Sequence, residues 1–176
     1  MNKLYAVLGP SGSGKSTLVN HMKEKYSIPE AISYTTRDMR EGEAEGFPYY
    51  FVDEKEFKSK DFVEYVEYNG NFYGLTEDEI KDSIKNNRKT FVIVDKYGVQ
   101  QLKELVGGHL EVIYIYSKPI ECFQRMKDSR GIDQAVDRLL NSFKEKEYSN
   151  VDIADFVIIN NDLEKAKENL AKIIEI

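Results

Sequence analysis

The segment Gly9-Pro10-Ser11-Gly12-Ser13-Gly14-Lys15-Ser16-Thr17 constrains this chain more than any other. It fits the pattern GxxxxGK[ST] without a mismatch. Its glycines let the backbone curl so that several N–H groups face one phosphate, and a helix starting near Lys15 adds the positive end of its dipole. Lys15 can reach the β and γ phosphates of a nucleotide, and the Ser16 hydroxyl can bind Mg²⁺. Such a loop needs a strand before it and a helix after it. Leu4 to Leu8 reads as a buried strand, and Leu18, Val19 and Met22 give the next segment one apolar helical face. A flexible glycine linker rarely carries the lysine and hydroxyl at this spacing. The loop reads as a nucleoside triphosphate site and leaves open what is done with the triphosphate.

Three more apolar runs, Phe91 to Val94, Val112 to Tyr116 and Phe156 to Ile159, are short, β-branched or aromatic, and separated by helical patterns. Fully buried strands of a mostly parallel sheet look like this, and an α/β fold with helices on both faces follows. After the last run, Asp162 can cap a helix with the apolar face Leu163, Ala166, Leu170, Ile173 and Ile174. Between about Ser33 and Thr76 the rhythm changes to glycine, tyrosine and short extended runs, such as Phe47 to Val52 and Phe62 to Tyr68, which read as antiparallel strands of a small excursion. Asp53…Glu56 and Thr76…Glu79 are capping boxes within and at the end of it.

With 176 residues the chain suits one domain with an inserted subdomain. Its 25 basic and 31 acidic residues give a net charge of −6, the wrong sign for a protein that tracks nucleic acid. Phosphate binding must come from a few locally placed cations. No apolar run approaches the ~20 residues that span a bilayer. The single cysteine, Cys122, reads as a buried thiol, and the chain as cytoplasmic.

The second constellation runs from Ser33-Tyr34-Thr35-Thr36-Arg37-Asp38-Met39-Arg40-Glu41-Gly42-Glu43 through Gly46 to Tyr49. Two arginines at i and i+3 in a glycine-bounded loop can grip one phosphate from two sides. This stretch, SxTTRxxRxGExxGxxY, together with the phosphate loop, Phe62-Val63-Glu64-Tyr65…Gly70-Asn71-Phe72-Tyr73-Gly74 and Ile159-Asn160-Asn161-Asp162-Leu163, resembles the guanylate kinase family over nearly the whole chain.

That resemblance implies a P-loop NTPase three-layer sandwich with a mostly parallel sheet (about 1–32, 88–124 and 139–176), a β-rich nucleoside-monophosphate-binding subdomain (about 33–87) and a short lid (about 125–138). It implies ATP and GMP as substrates, Mg²⁺ as cofactor, no nucleic acid or membrane partner, and a monomer or homodimer. Gly9 to Thr17 and Asn160 would bind ATP. Arg37, Arg40, Tyr49 and Tyr73 would hold the acceptor phosphate, and Ser33 and Glu64 would read guanine. A carboxylate at Glu64 can accept from guanine N1–H and N2–H₂, whereas adenine has no donor at N1. Asp95, after Phe91 to Val94, would face guanine or the water shell of the metal, with a plain helix N-cap as the competing reading. Lys15, Arg37, Arg130 and Arg138 would act on the transferring group; Arg125 either assists or is an exposed helix residue.

Three positions depart from the family pattern. Leu75 stands where a hydroxyl usually contacts guanine, Ile93 where many members have an acid near the metal, and the stretch from Arg130 to Arg138 is short. They leave room for a related kinase with another acceptor, a different nucleoside monophosphate or a sugar phosphate. A non-catalytic binding module is the reading from another class, and the intact Lys15 and Ser16 argue against it.

Overall fold

The computed structural model describes residues 2–47, 49–68 and 70–176. The four apolar runs form one parallel sheet. β1 (Lys3–Leu8) lies between β6 (Lys89–Ile93) and β7 (Leu110–Tyr116), and β8 (Phe156–Ile159) completes the order β6-β1-β7-β8. β1 is apolar on both faces because both are covered. Tyr5 and Val7 pack with Leu18, Val19 and Met22 of α1 (Lys15–Tyr26) and with Ala166 and Leu170 of α7 (Leu163–Ile173). Leu4, Ala6 and Leu8 pack with Val99 and Leu102 of α4 (Lys96–Val106) and Ile80 of α3 (Glu77–Asn86). This is the α/β sandwich that the alternation of apolar runs predicts.

β8 departs from the expected full burial. Ile158 is 1 % exposed, but Val157 and Ile159 are 48 % and 58 % exposed. Val157 and Ile159 share one face of the strand, and that face is left largely uncovered; edge position alone does not do this, since β6 also ends the sheet and keeps Phe91 and Val92 buried.

The inserted region forms a second sheet of order β3-β2-β5-β4, from β2 (Tyr34–Thr35), β3 (Tyr50–Phe51), β4 (Phe62–Tyr68) and β5 (Asn71–Thr76). β5 runs antiparallel to β2 and β4, as expected, but β3 runs parallel to β2 and is only two residues long. The first half of the run from Phe47 to Val52 is consumed by a turn, in which Ala44 and Phe47 exchange backbone hydrogen bonds and Gly46 N–H donates to the Tyr49 carbonyl. Pro48 lies outside the described residues. Phe57 of α2 (Glu54–Lys58) stacks on Phe62 and Phe72, with ring centroids 4.3 and 5.5 Å away, giving the small sheet its own apolar anchor.

Both expected boxes supply their caps. Asp53 Oδ1 accepts from Glu56 N–H at 2.7 Å, and Thr76 Oγ1 from Glu79 N–H at 3.3 Å. The reciprocal halves are diverted: Glu79 accepts from Ile32 N–H at 3.0 Å, and Glu56 pairs with Lys60 at 3.1 Å. Asp95 and Asp162 cap α4 and α7. The remaining helices, α1, α5 (Pro119–Arg130) and α6 (Ile132–Lys144), begin without a side-chain cap. The stretch read as a lid spans the end of α5, a one-residue break at Gly131 and the first half of α6.

Candidate active site

The phosphate loop joins β1 to α1. Gly14 caps α1 in the left-handed region (φ 97°), so the first-turn N–H groups stay open to an anion instead of being met by a side chain. A Cβ on Gly14 would sit 2.3 Å from Asn160 Nδ2, and one on Gly12 2.6 Å from the Cys122 carbonyl. Neither position has space for another residue. Lys15 Nζ folds back to donate to the Gly9 and Pro10 carbonyls at 2.6 and 3.0 Å. Burial lowers its pKa, against the pull of Glu147.

Three residues brace this loop from behind. Asn160 is 2 % exposed and its Nδ2 donates to the Ser13 carbonyl at 2.8 Å. Ser117 Oγ donates to the Asn160 carbonyl at 2.9 Å. Arg125 is not a free surface residue: its guanidinium donates to the carbonyls of Gly12 at 3.3 Å and Asn160 at 2.8 Å, and to Ser117 Oγ at 2.9 Å. Arg125, Arg130 and Arg138 line one pocket with Ser11, Lys15 and Ser16. Cys122 is fully buried beside this region, where burial pushes its thiol pKa up and leaves it unreactive.

A larger cleft of about 750 Å³ runs from Lys15 to Glu64 and Asp95. Glu64 lies on β4 just after a register shift between Phe62 and Glu64, an irregularity of the kind that re-aims a side chain. Its carboxyl rests against the start of α4. A Cβ on Gly98 would stand 2.2 Å from Glu64 Oε2, so glycine at 98 makes the notch in which the carboxyl sits. Burial, and next the charge of Asp95, raise the Glu64 pKa from 4.5 to about 7. Asp95 is the helix N-cap of the competing reading: Oδ1 accepts from Tyr97 and Gly98 N–H at 2.8 and 2.9 Å, capping α4, and the residue also lines the cleft beside Glu64. Gly98 was not singled out in the sequence. Its signal there is its place three residues after the capping aspartate.

The arginine loop stands apart from this cleft. Arg37 pairs with Glu43 at 2.9 Å and lies over the rings of Tyr49 and Phe51, 5.8 and 5.5 Å from their centroids. Tyr49 and Tyr73 meet edge to face at 5.6 Å. Arg40 lends its backbone N–H to the same Glu43 at 2.8 Å, and its side chain is exposed. Arg37 lines a second pocket, with Thr36, Met39 and Phe51, rather than the cleft that Lys15 enters. Ser33 is half-buried, and its carbonyl receives Tyr50 N–H at 3.0 Å.

The family model described as guanylate kinase matches residues 1–176. The chain belongs to the guanylate kinase family. A guanylate kinase of Fusobacterium nucleatum is 37 % identical over 99 % of this chain and 97 % of its own length. One of Anaplasma phagocytophilum is 32 % identical over 97 % of this chain and 85 % of its own. The crystal structure of guanylate kinase from Anaplasma phagocytophilum superimposes with a TM-score of 0.69 at 28 % identity, covering 98 % of this chain and 84 % of that one.

Against the family pattern, Leu75 is 2 % exposed and sits in the core with Val63 and Ile80, so it offers the cleft no polar group. Thr76 is occupied in capping α3. Ile93 lines the cleft beside Asp95. The family implies Mg²⁺. Among the described residues no group of three or more Asp, Glu, His or Cys side chains could hold a metal, and the donor at hand is the exposed Ser16 hydroxyl. One hydroxyl completed by phosphate oxygens and water suits Mg²⁺, which sheds its waters reluctantly.

Proposed function

We propose that this chain transfers the γ-phosphoryl group of ATP to GMP, and to dGMP, giving the diphosphate and ADP. One observation carries the reading: a single cleft holds the phosphate-loop lysine at one end and a half-buried carboxylate suited to guanine at the other. The acceptor oxygen belongs to a phosphate that is already ionised near neutral pH, so no general base is needed. Positioning and charge stabilisation supply the rate.

Lys15, Arg130 and Arg138 serve the donor phosphates. Arg37 and Arg40, with Tyr49 and Tyr73, grip the acceptor phosphate; Glu64 reads guanine with Ser33 and Asp95 beside it. Since the arginine loop lines a pocket of its own, transfer requires residues of about 33–87 to close on the core, with about 125–138 closing as a lid that keeps water from the phosphoryl group. Mg²⁺ supplies charge neutralisation on the phosphates when bound, held by Ser16, with Asp95 reaching it only through water. We place the enzyme in the cytoplasm as a monomer or homodimer without nucleic-acid or membrane partners, in keeping with its net charge of −6.

A coupled ADP-release assay across GMP, dGMP, AMP, UMP and CMP tests this. Turnover with the two guanine nucleotides only is expected, and selective turnover of AMP or a pyrimidine nucleotide would overturn it.

The Glu64 environment adds a pH signature. Guanine needs the ionised carboxylate, and a pKa near 7 leaves it mostly protonated at pH 6 and mostly ionised at pH 8. GMP affinity should therefore rise about tenfold across that interval. Glu64→Gln should flatten the rise to the part contributed by the phosphate of GMP, and an equally steep rise in that variant would remove Glu64 from the site. The same shift works against the fold. A carboxyl that holds its proton more tightly when folded favours stability at acid pH, and that benefit is lost as pH climbs from 4.5 to about 7.

A further inference from the structure

One carboxylate in this region has no part in the scheme above. Glu147 opens the 3-10 turn Glu147–Ile153 that follows α6, and the residue before it, Lys146, adopts a left-handed conformation (φ 54°) uncommon for a side-chain-bearing residue. The turn delivers Glu147 to the phosphate loop. Its Oε2 accepts from Ser11 N–H at 3.3 Å, and Ser142 Oγ, from a fully buried residue of α6, lies 3.4 Å from the same N–H. Tyr114 Oη fixes the base of the turn by donating to the Glu147 carbonyl at 3.0 Å. Glu147 also lines the cleft that Lys15 enters, and its charge acts on that lysine. The loop that must receive a polyanion thus already holds an anion of the chain's own.

We infer that Glu147 is a positioning residue that sets donor affinity: it clasps the phosphate loop at Ser11 and opposes the phosphates that displace it. The inference rests on the assignment of the loop to ATP and adds a reason for its affinity. A triphosphate seated in the loop must bring its own charge towards the carboxylate that Ser11 N–H holds. That repulsion opposes binding, and it vanishes when the carboxylate becomes an amide of the same shape. After transfer, ADP still carries phosphates in the loop, so the same repulsion favours its departure. GMP, read by Glu64 at the other end of the cleft, is not affected through this contact.

Isothermal titration of the full chain with ATP, ADP and GMP tests it. Glu147→Gln keeps an acceptor for Ser11 N–H and should tighten ATP and ADP by about fivefold to tenfold, the scale for removing one like charge at a partly screened site. GMP affinity should not change. Glu147→Asp keeps the charge on a shorter arm and should bind ATP and ADP with affinity between wild type and the Gln variant. Melting curves confirm that both variants are folded. Unchanged or weaker ATP binding by folded Glu147→Gln overturns the inference, as does a parallel change in GMP, which would mark a merely structural role. Should Glu147→Gln fail to fold, Glu147→Asp decides: ATP no tighter than wild type overturns the clasp. Failure of the unmodified chain to bind ATP at all would instead sink the donor-site assignment.

Discussion

Replacing Lys15 with alanine should lower kcat by about 10²–10³-fold, the scale seen when one preorganised charged or hydrogen-bonding group is taken from a transition state. GMP affinity should stay within about twofold, because its determinants lie elsewhere in the cleft; a change of that size is within what an uncoupled site tolerates. The ammonium donates to the Gly9 and Pro10 carbonyls, and burial lowers its pKa. A lysine so confined is poised to exchange two carbonyls for phosphate oxygens, and its charge is worth most where water is scarce. Single-turnover kinetics and GMP titration on the folded variant measure the two quantities separately. A large loss of GMP affinity would show that donor and acceptor ends have been assigned the wrong way round.

At the other grip, Arg40→Ala should raise KM for GMP about 10–100-fold, corresponding to one or two charge-assisted hydrogen bonds, and leave KM for ATP unchanged. Arg40 is the cleaner of the two arginines to remove. Arg37 also pairs with Glu43 and lies over Tyr49 and Phe51, so alanine there would unpick the loop itself. Arg40 gives the loop its backbone N–H, which alanine retains, while its side chain is exposed. Steady-state kinetics with each substrate varied in turn decides the matter, and equal weakening of both substrates would count against an acceptor role.

The core of the fold was readable because a strand covered on both faces leaves an unbroken apolar run, and four such runs became the four strands of the parallel sheet. The edge position of β8 was not readable, since Phe156 to Ile159 is as apolar as the central strands and only tertiary placement gives it one neighbour. The short parallel β3 was hidden for a related reason: from Phe47 onward the extended pattern competes with a turn, and the turn's backbone hydrogen bonds won.

Of the site, the phosphate loop is local chemistry and so visible in consecutive residues. Arg125, Gly98 and Glu147 act across more than thirty positions of chain, on Asn160, Glu64 and Ser11 respectively, and no spacing rule brings such partners together. Asn160 shows the same limit. Its place before α7 was expected from the family pattern, while the burial of its side chain against the Ser13 carbonyl appears only in three dimensions.

The helices that start without a side-chain cap, α1, α5 and α6, are also those whose residues surround the pocket of Lys15, Arg130 and Arg138. Elsewhere the chain closes its own helix starts with Asp53, Thr76, Asp95 and Asp162. The molecule is thereby asymmetric in how complete it is. Of the three uncapped helices, only α1 begins at that pocket, so its first-turn amide hydrogens are the ones left for an outside guest, whereas α5 and α6 reach it with Arg130 and Arg138 further along. Occupancy then acts as a structural part supplied from outside, and the resistance of α1 to local opening becomes a function of nucleotide concentration as well as of sequence.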